Sequence, residues 1–85
     1  MINKSILKKK IIYRSTHRGI KEMDILLGAF VNKNIEIFKE EELVKLNDIL
    51  LIDDDILQKW HLKKIDNNTL VPSNNVSKML LKFKL

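Results

Sequence analysis

The chain contains no cysteine, one proline and two glycines among its 85 residues. The absence of cysteine excludes disulfide bonds, thiolate zinc sites and cysteine nucleophiles. Its two histidines are too few to form a metal centre alone. The longest apolar runs, such as residues 49–52, fall far below the roughly 18 to 20 residues that a membrane span requires, and no signal-peptide core follows the N-terminus. These absences predict a protein of a reducing, aqueous compartment.

What remains has the composition of a small globular helical protein. Hydrophobic residues make up 45% and charged residues 32% of the chain, and no low-complexity tract or internal repeat interrupts it. A chain of this length buries only roughly 60 to 65% of its unfolded surface, which leaves little room for a deep active site. We therefore expect one domain, residues 1–85, whose function lies on its surface.

Charge is distributed unevenly, although the net charge is +5. Residues 1–21 contain seven lysines and arginines and no acid, residues 36–55 contain eight acids and two lysines, and the segment from residue 59 onward is basic again. A nucleic-acid-binding protein would be expected to extend its positive footprint along one face. The acidic middle argues against complete coverage, and an acidic protein partner suits the basic N-terminal segment equally well.

The N-terminal half predicts two helices that meet at a glycine corner. The first runs from residue 2 to about residue 17, with lysines 8–10 on its polar side. Its apolar side comprises Ile2, Ile6, Leu7, Ile11 and Tyr13. Basic, acid-poor N-termini also occur in organelle transit peptides, but this segment continues directly into the next one, so we include it in the fold. Gly19 breaks the first helix, and the second fades near residues 32–34; its apolar residues are Ile20, Met23, Leu26, Leu27, Phe30 and Val31.

The C-terminal half predicts three more short helices. Glutamates 40–42 begin the third, because carboxylates favour the positive end of the helix dipole, and Phe38 is a hydrophobic staple; its buried stripe is Leu43, Leu46, Ile49 and Leu50. Asp53 caps the fourth, which ends near residues 62–64 and buries Ile56, Leu57 and Trp60. A polar stretch, residues 66–75, contains Pro72 and the caps Ser73 and Asn74; the last helix then carries Val76, Met79, Leu80 and Phe83. Segments 50–52 and 69–71 are too short to be strands. They also lack the alternation of apolar and polar residues that is expected of strands.

Both arginines and one of the two glycines fall within residues 14–24. If the second helix begins near Gly19, its free amides and several cations form an anion-attracting corner, with Glu22 as counter-charge. The cations are Arg14, Arg18 and Lys21. The alternative is an ordinary solvated corner with an Arg18–Glu22 ion pair, worth about 0.3 to 0.5 kcal/mol. The pattern alone leaves both interpretations open.

The sequence RSTHRGIKEMDILLGAF, with Arg18, Gly19 and Glu22 at its centre, closely resembles the RGxxE signature of the SdhE-type FAD assembly factors, also called succinate dehydrogenase assembly factors. Residues 46–60, in which leucines lead through an acidic turn to a tryptophan, resemble the family's second block. Residues 72–83 resemble its last helix, so the resemblance spans roughly residues 6–84 in order. The departures are His17 in place of an arginine, Ile20 in place of a methionine, and a lysine-rich C-terminal tail.

The pattern along the chain predicts an all-α bundle of about five short helices. The resemblance implies that this bundle is a chaperone and not an enzyme. Family members bind the flavoprotein subunit of succinate dehydrogenase and promote covalent attachment of FAD to a histidine of that subunit, with no cofactor stably bound to themselves. The flavoprotein of fumarate reductase stays open as a second client. The implied compartment is the cytoplasm of a bacterium, or the mitochondrial matrix of a eukaryote.

Carried onto this sequence, the signature makes Arg18, Gly19 and Glu22 the partner-contacting residues, with Gly19 permitting close backbone approach. A steering rim surrounds them, formed by Arg14, His17 and Lys21. His17 softens the positive charge of the corner, and it either makes partner binding pH-sensitive or is an exposed bystander.

Two other classes of function make different predictions. Nucleic-acid binding, motivated by the sequence pI of about 9.6, predicts a steep loss of affinity with salt and tolerance of Glu22 substitution. An enzyme needs a nucleophile or paired titratable groups, and no constellation here has such spacing. Trp60 has the spacing of a core residue and not of a residue that stacks on a flavin. His61 has the position of a helix-end residue. Residues 53–55 lack the glycine and the distant glutamate of a calcium-binding loop.

Overall fold

The computed structural model describes residues 3–62 and 71–85, which contain five α-helices and no strand. The helices are α1 (Lys4–Thr16), α2 (Lys21–Asn34), α3 (Glu40–Leu50), α4 (Asp54–His61) and α5 (Asn75–Lys82). The prediction of an all-α chain is therefore confirmed. Several predicted features lie outside the described residues. They are Ile2, the helix end expected at residues 63–64, residues 66–70 of the polar stretch, and residues 69–70 of the second strand candidate. None of the described helices is long and apolar enough to cross a membrane.

Local sequence explains where several helices begin. Asn3 precedes α1 and Asn74 precedes α5, and each side-chain oxygen accepts a hydrogen bond from the backbone amide three residues on, at 3.1 and 2.8 Å. Lys39 precedes α3, and its own amide donates to the Glu42 carboxylate at 2.9 Å. Such bonds satisfy amides that a helix end leaves without partners, which defines each starting point.

One hydrophobic core joins the helices. The α1 helix packs against α2 and α3, while α3 also contacts α5 and α2 also contacts α4. The apolar stripe predicted for α3 is fully buried, and Trp60 of α4 is 3% exposed. Each large side chain buried in this way contributes about 1.5 to 3 kcal/mol relative to exposure. The largest enclosed side chains include Ile11, Leu27, Phe30, Leu43, Leu46, Ile49, Leu57 and Leu80.

The predicted apolar side of α1 is partly wrong. Leu7 and Ile11 are buried as predicted, but Ile6 and Tyr13 are 51% and 62% exposed. The reason is that α1 buries residues four apart, with Ser15 continuing the stripe. The side chains of Ile6 and Tyr13 project from the helix at other angles, since each residue turns the helix by about 100°.

Two smaller expectations also need correction. Met79 of α5 is 40% exposed, and the buried positions of this helix are Val76, Ser77 and Leu80. Asp53 occupies the residue before α4, but its side chain makes no capping hydrogen bond. The next carboxylate in the sequence, that of Asp54, instead bonds to a different part of the molecule.

Candidate functional site

Two helix corners meet on one side of the bundle. The α1–α2 corner comprises residues 17–20, and the α3–α4 corner comprises residues 51–53. Arg18 extends from the first corner to the second, and its side chain is only 8% exposed. A charged group enclosed to this degree requires partners that satisfy it, because an unpaired buried charge is strongly unfavourable.

The guanidinium of Arg18 donates four hydrogen bonds within the chain. Its Nε bonds to Asp54 Oδ1 at 2.6 Å. One terminal nitrogen bonds to the carbonyls of Arg14 at 3.1 Å and Leu50 at 2.5 Å, and the other to the carbonyl of Ile52 at 2.9 Å. These carbonyls lie at or just past the C-terminal ends of α1 and α3, where the last carbonyls lack helical partners and the helix dipole is negative. One cation therefore stabilises two helix ends.

Asp54 completes the junction from the side of α4. Its Oδ2 accepts a hydrogen bond from the amide of Ile20 at 3.0 Å, and Ile20 caps α2 without a side-chain bond of its own. Burial by itself would raise the pKa of Asp54. The hydrogen bond from the Ile20 amide, then the bond from Arg18 and its charge, and the amide of Gly19 outweigh burial, so the pKa of Asp54 lies below its ordinary value. The Arg18–Asp54 pair thus holds an ionised carboxylate at the meeting point of four helices.

This geometry differs from the anion-attracting corner that the sequence suggested. Arg18 has five N–H groups, and four hydrogen bonds to its own chain leave one. The Ile20 amide at the start of α2 is likewise bonded to Asp54. The alternative, an Arg18–Glu22 ion pair, is also wrong, because Arg18 pairs with Asp54 among the described residues. The sequence did not single out Asp54, since its partner lies 36 positions away.

Gly19 is exposed at the tip of the α1–α2 corner. A Cβ added to it would lie 3.6 Å from Asp54 Oδ2, an ordinary van der Waals contact, and its backbone φ lies outside the left-handed region. Neither space nor backbone strain within the chain therefore requires a glycine. The missing side chain leaves room for another molecule to approach the backbone.

The predicted rim residues occupy different environments. Arg14 is half-buried and donates a hydrogen bond to Asn47 Oδ1 at 2.8 Å, which links α1 to α3. Lys21 is exposed in the first turn of α2. Glu22, next in that turn, is also exposed, but it borders a separate groove beside Leu26, Gln58 and Leu62. The structure therefore places Arg18 of the signature in the α1–α2 corner and Glu22 on the exposed side of α2, beside a different groove.

His17 is exposed and its ring stacks on that of Tyr13, with centroids 3.8 Å apart and planes inclined by 16°. His17 Nδ1 lies 2.8 Å from the Tyr13 carbonyl oxygen, and because a carbonyl only accepts, Nδ1 carries the proton. Leu51 of the α3–α4 corner is 59% exposed. Sequence reasoning missed Tyr13 and Leu51 as surface residues; the signal for Tyr13 was its position off the four-residue stripe of α1.

A shallow, open depression lies between the two corners. Its lining includes Tyr13, Arg14, His17, Gly19, Leu51 and Asp53. His61, by contrast, bonds through Nε2 to the Phe83 carbonyl at 3.1 Å and ends α4 as predicted. Within residues 3–62 and 71–85, no group of three or more side chains is arranged to hold a metal ion.

Comparison with known proteins agrees with the resemblance seen in the sequence. A family model described as "Flavinator of succinate dehydrogenase" matches residues 9–84. The mitochondrial succinate dehydrogenase assembly factor 2 of Dictyostelium discoideum is 40% identical over 60 residues, covering 71% of this chain and 43% of that protein. The FAD assembly factor SdhE of Acetobacter pasteurianus is 36% identical over 58 residues, covering 68% and 53%. The mitochondrial assembly factor 2 of Komagataella phaffii is 27% identical over 82 residues, covering 96% and 43%.

The chain thus spans about half the length of the curated relatives it matches. None of these relatives is named as a nucleic-acid-binding protein. No solved structure matches the chain significantly.

Proposed function

The chain belongs to the flavinator of succinate dehydrogenase family, and on that premise we propose that it is an assembly factor that binds the flavoprotein subunit of succinate dehydrogenase and promotes covalent attachment of FAD to it. The observation that carries this proposal is the exposed Gly19 on a corner held rigid by the Arg18–Asp54 pair. An exposed backbone on a rigid support is suited to close contact with another polypeptide, since little freedom is lost on binding.

The residues of the α1–α2 corner and of the first turn of α2 have different roles in this proposal. Arg18 is a positioning residue in this proposal, because direct contact with a partner would require its guanidinium to leave four hydrogen bonds. Gly19 and Glu22 contact the partner, and exposed Lys21 contributes electrostatic steering. His17 and Arg14 border the depression beside Gly19, so they complete the contact surface.

The chemistry of flavin attachment lies with the partner in this proposal. Covalent attachment needs stabilisation of negative charge on the flavin by preorganised groups, and these belong to the flavoprotein. The assembly factor holds that subunit in a competent arrangement and keeps no flavin of its own. We extend the proposal to the flavoprotein of fumarate reductase as a second client, and to the cytoplasm of a bacterium or the mitochondrial matrix as the compartment.

Co-expression tests the proposal. The flavoprotein subunit is produced with and without this chain, denatured, and scored for covalent flavin by fluorescence in the gel. We expect fluorescence to rise with the wild-type chain and to stay at the background level with Gly19→Arg. Asn32→Arg is the matched control: it adds the same charge at an exposed position of α2, about 20 Å along the helix at 1.5 Å per residue, and it should behave as wild type.

Two results would contradict the proposal. One is flavin fluorescence of the flavoprotein subunit that does not depend on the chain. The other is co-purification of that subunit with folded Gly19→Arg protein as efficiently as with wild type. The same assay with the fumarate reductase flavoprotein decides the second client.

A further inference from the structure

The depression beside Gly19 is lined by charged side chains, among them Arg14, Arg18 and Asp54, and by the exposed side chains of Tyr13 and Leu51. Arg18 and Asp54 are 8% and 11% exposed in their side chains and neutralise each other. Tyr13 and Leu51, on opposite walls of the depression, are 62% and 59% exposed. Two large exposed side chains that line one depression offer an apolar contact to another molecule.

Part of the donor capacity in the depression is used by hydrogen bonds within the chain. One N–H of Arg18 remains after its four internal bonds, and the Ile20 amide is bonded to Asp54. The diphosphate of FAD requires several converging donors or cations. Arg14 keeps four of its five N–H groups after its bond to Asn47, so the titration with FAD described below separates a flavin ligand from an apolar side chain of a partner.

The wall that α1 contributes has a consistent charge. Residues 1–21 contain no acid, and the exposed face of α1 runs through Ile6, Lys10, Tyr13 and His17 at three- and four-residue spacing. A second apolar hollow, beside Ile6, Lys10 and Val44, continues along the same seam between α1 and α3. The exposed carboxylate of Asp53 lies on the opposite wall. The α1 side of this face thus carries exposed apolar side chains and cations but no acid.

We propose that Tyr13 is the hydrophobic anchor by which the chain binds its partner, together with the stacked ring of His17 and the side chain of Leu51. The occupant is an apolar side chain of the flavoprotein subunit, set in an acidic surface that faces α1. This inference rests on the proposed function and names the partner chemistry of the same site. A buried aromatic anchor supplies a large share of binding energy at protein interfaces. Stacking on His17 at 3.8 Å already fixes the Tyr13 ring, which lowers the entropy lost on binding.

The test measures the affinity of the purified flavoprotein subunit for variants of the full chain by calorimetry or interferometry. We expect Tyr13→Ala to weaken binding tenfold or more, which corresponds to about 1.4 kcal/mol, and Tyr13→Phe to retain most of it. Leu51→Ala should weaken binding several-fold. Ile37→Ala is the matched control, because Ile37 is 70% exposed but does not line the depression; its affinity should stay within twofold of wild type.

Charge is tested separately. Lys10→Glu should weaken binding most at low salt, because electrostatic attraction between exposed charges is screened as salt rises. The tenfold effect of Tyr13→Ala should persist at high salt. FAD alone, titrated against the chain, should show no change in flavin fluorescence.

The outcomes separate this inference from the proposed function. If Tyr13→Ala binds within twofold of wild type while Gly19→Arg does not bind, the anchor is wrong and the assembly function stands. If the wild-type chain neither binds the flavoprotein subunit nor raises its covalent flavin, both are wrong. Binding of free FAD that Tyr13→Ala abolishes would assign the depression to the flavin and overturn the inference.

Discussion

Asp54→Asn removes one charge from the Arg18–Asp54 pair and leaves the guanidinium of Arg18 without its counter-ion. The side chains are 8% and 11% exposed, so solvent replaces little of the lost attraction. Breaking an enclosed ion pair by removing one partner costs about 3 to 5 kcal/mol. The asparagine amide also offers one accepting oxygen where Asp54 has two, so either Arg18 Nε or the Ile20 amide loses its acceptor.

That loss is large for a chain of this size. At roughly 0.05 to 0.15 kcal/mol per residue, 85 residues give a total stability of about 4 to 13 kcal/mol. We expect Asp54→Asn to lower the free energy of unfolding by about 3 kcal/mol, measured by urea denaturation followed by circular dichroism. A corresponding decrease in Tm of about 15 °C follows from the unfolding entropy of a chain of this length.

The next residue supplies a matched control. Asp55 also lies in the first turn of α4, but its side chain is 69% exposed and pairs with Lys59 four residues on, at 3.2 Å. Asp55→Asn should cost no more than about 0.5 kcal/mol, because exposed pairs are weak. If the two asparagine variants differ by less than about 0.5 kcal/mol, the Arg18–Asp54 pair does not fix the corner and the reasoning fails.

Three further predictions follow from named contacts. Folding lowers the pKa of Asp54 from its ordinary value of 3.8. The ionised carboxylate therefore stabilises the fold fully above pH 3.8, and this stabilisation is lost as the pH falls through the pKa of the folded state. In acid denaturation curves, the difference in unfolding free energy between wild type and Asp54→Asn should become smaller over that range. Gly19→Ala should leave stability unchanged or raise it by up to about 1 kcal/mol, while lowering affinity for the flavoprotein subunit; a large loss of stability would show that the fold itself needs the glycine. Asn74→Ala should cost about 1 kcal/mol by removing the cap of α5, and an unchanged urea midpoint would argue against that cap.

Much of the fold was predictable from local patterns. The stripe of α3 at Leu43, Leu46, Ile49 and Leu50 repeats every three or four residues, and all four side chains are buried. Such periodicity reports burial directly when one face of a helix meets the core. The pattern was less decisive for α1, where Leu7 and Ile11 share the helix with exposed Ile6 and Tyr13. A helix with apolar residues on several sides does not reveal by itself which side packs.

The candidate site was predictable in position but not in geometry. The clustering of arginine and glycine, and the family resemblance, located the corner at residues 14–24. Nothing local indicated that Arg18 would pair with Asp54 rather than Glu22, because the choice depends on how the two corners approach each other. Asp54 belongs to a run of three aspartates, of which the sequence predicts only the first, Asp53, as the cap of α4. Only one of the three lies against Arg18.

The sequence by itself determined the helical class, the approximate helix bounds, the main core residues and the family, because each depends on patterns within a few turns of chain or on ordered blocks of residues. The tertiary structure alone decided the hydrogen-bond partners of Arg18, the pairing of the Ile20 amide with Asp54, and the exposure of Tyr13 and Leu51. These depend on the packing of α1 against α3 and of one corner against the other. Side chains that are 30 or more positions apart in the sequence are in contact at these interfaces. Local sequence patterns do not predict such long-range contacts.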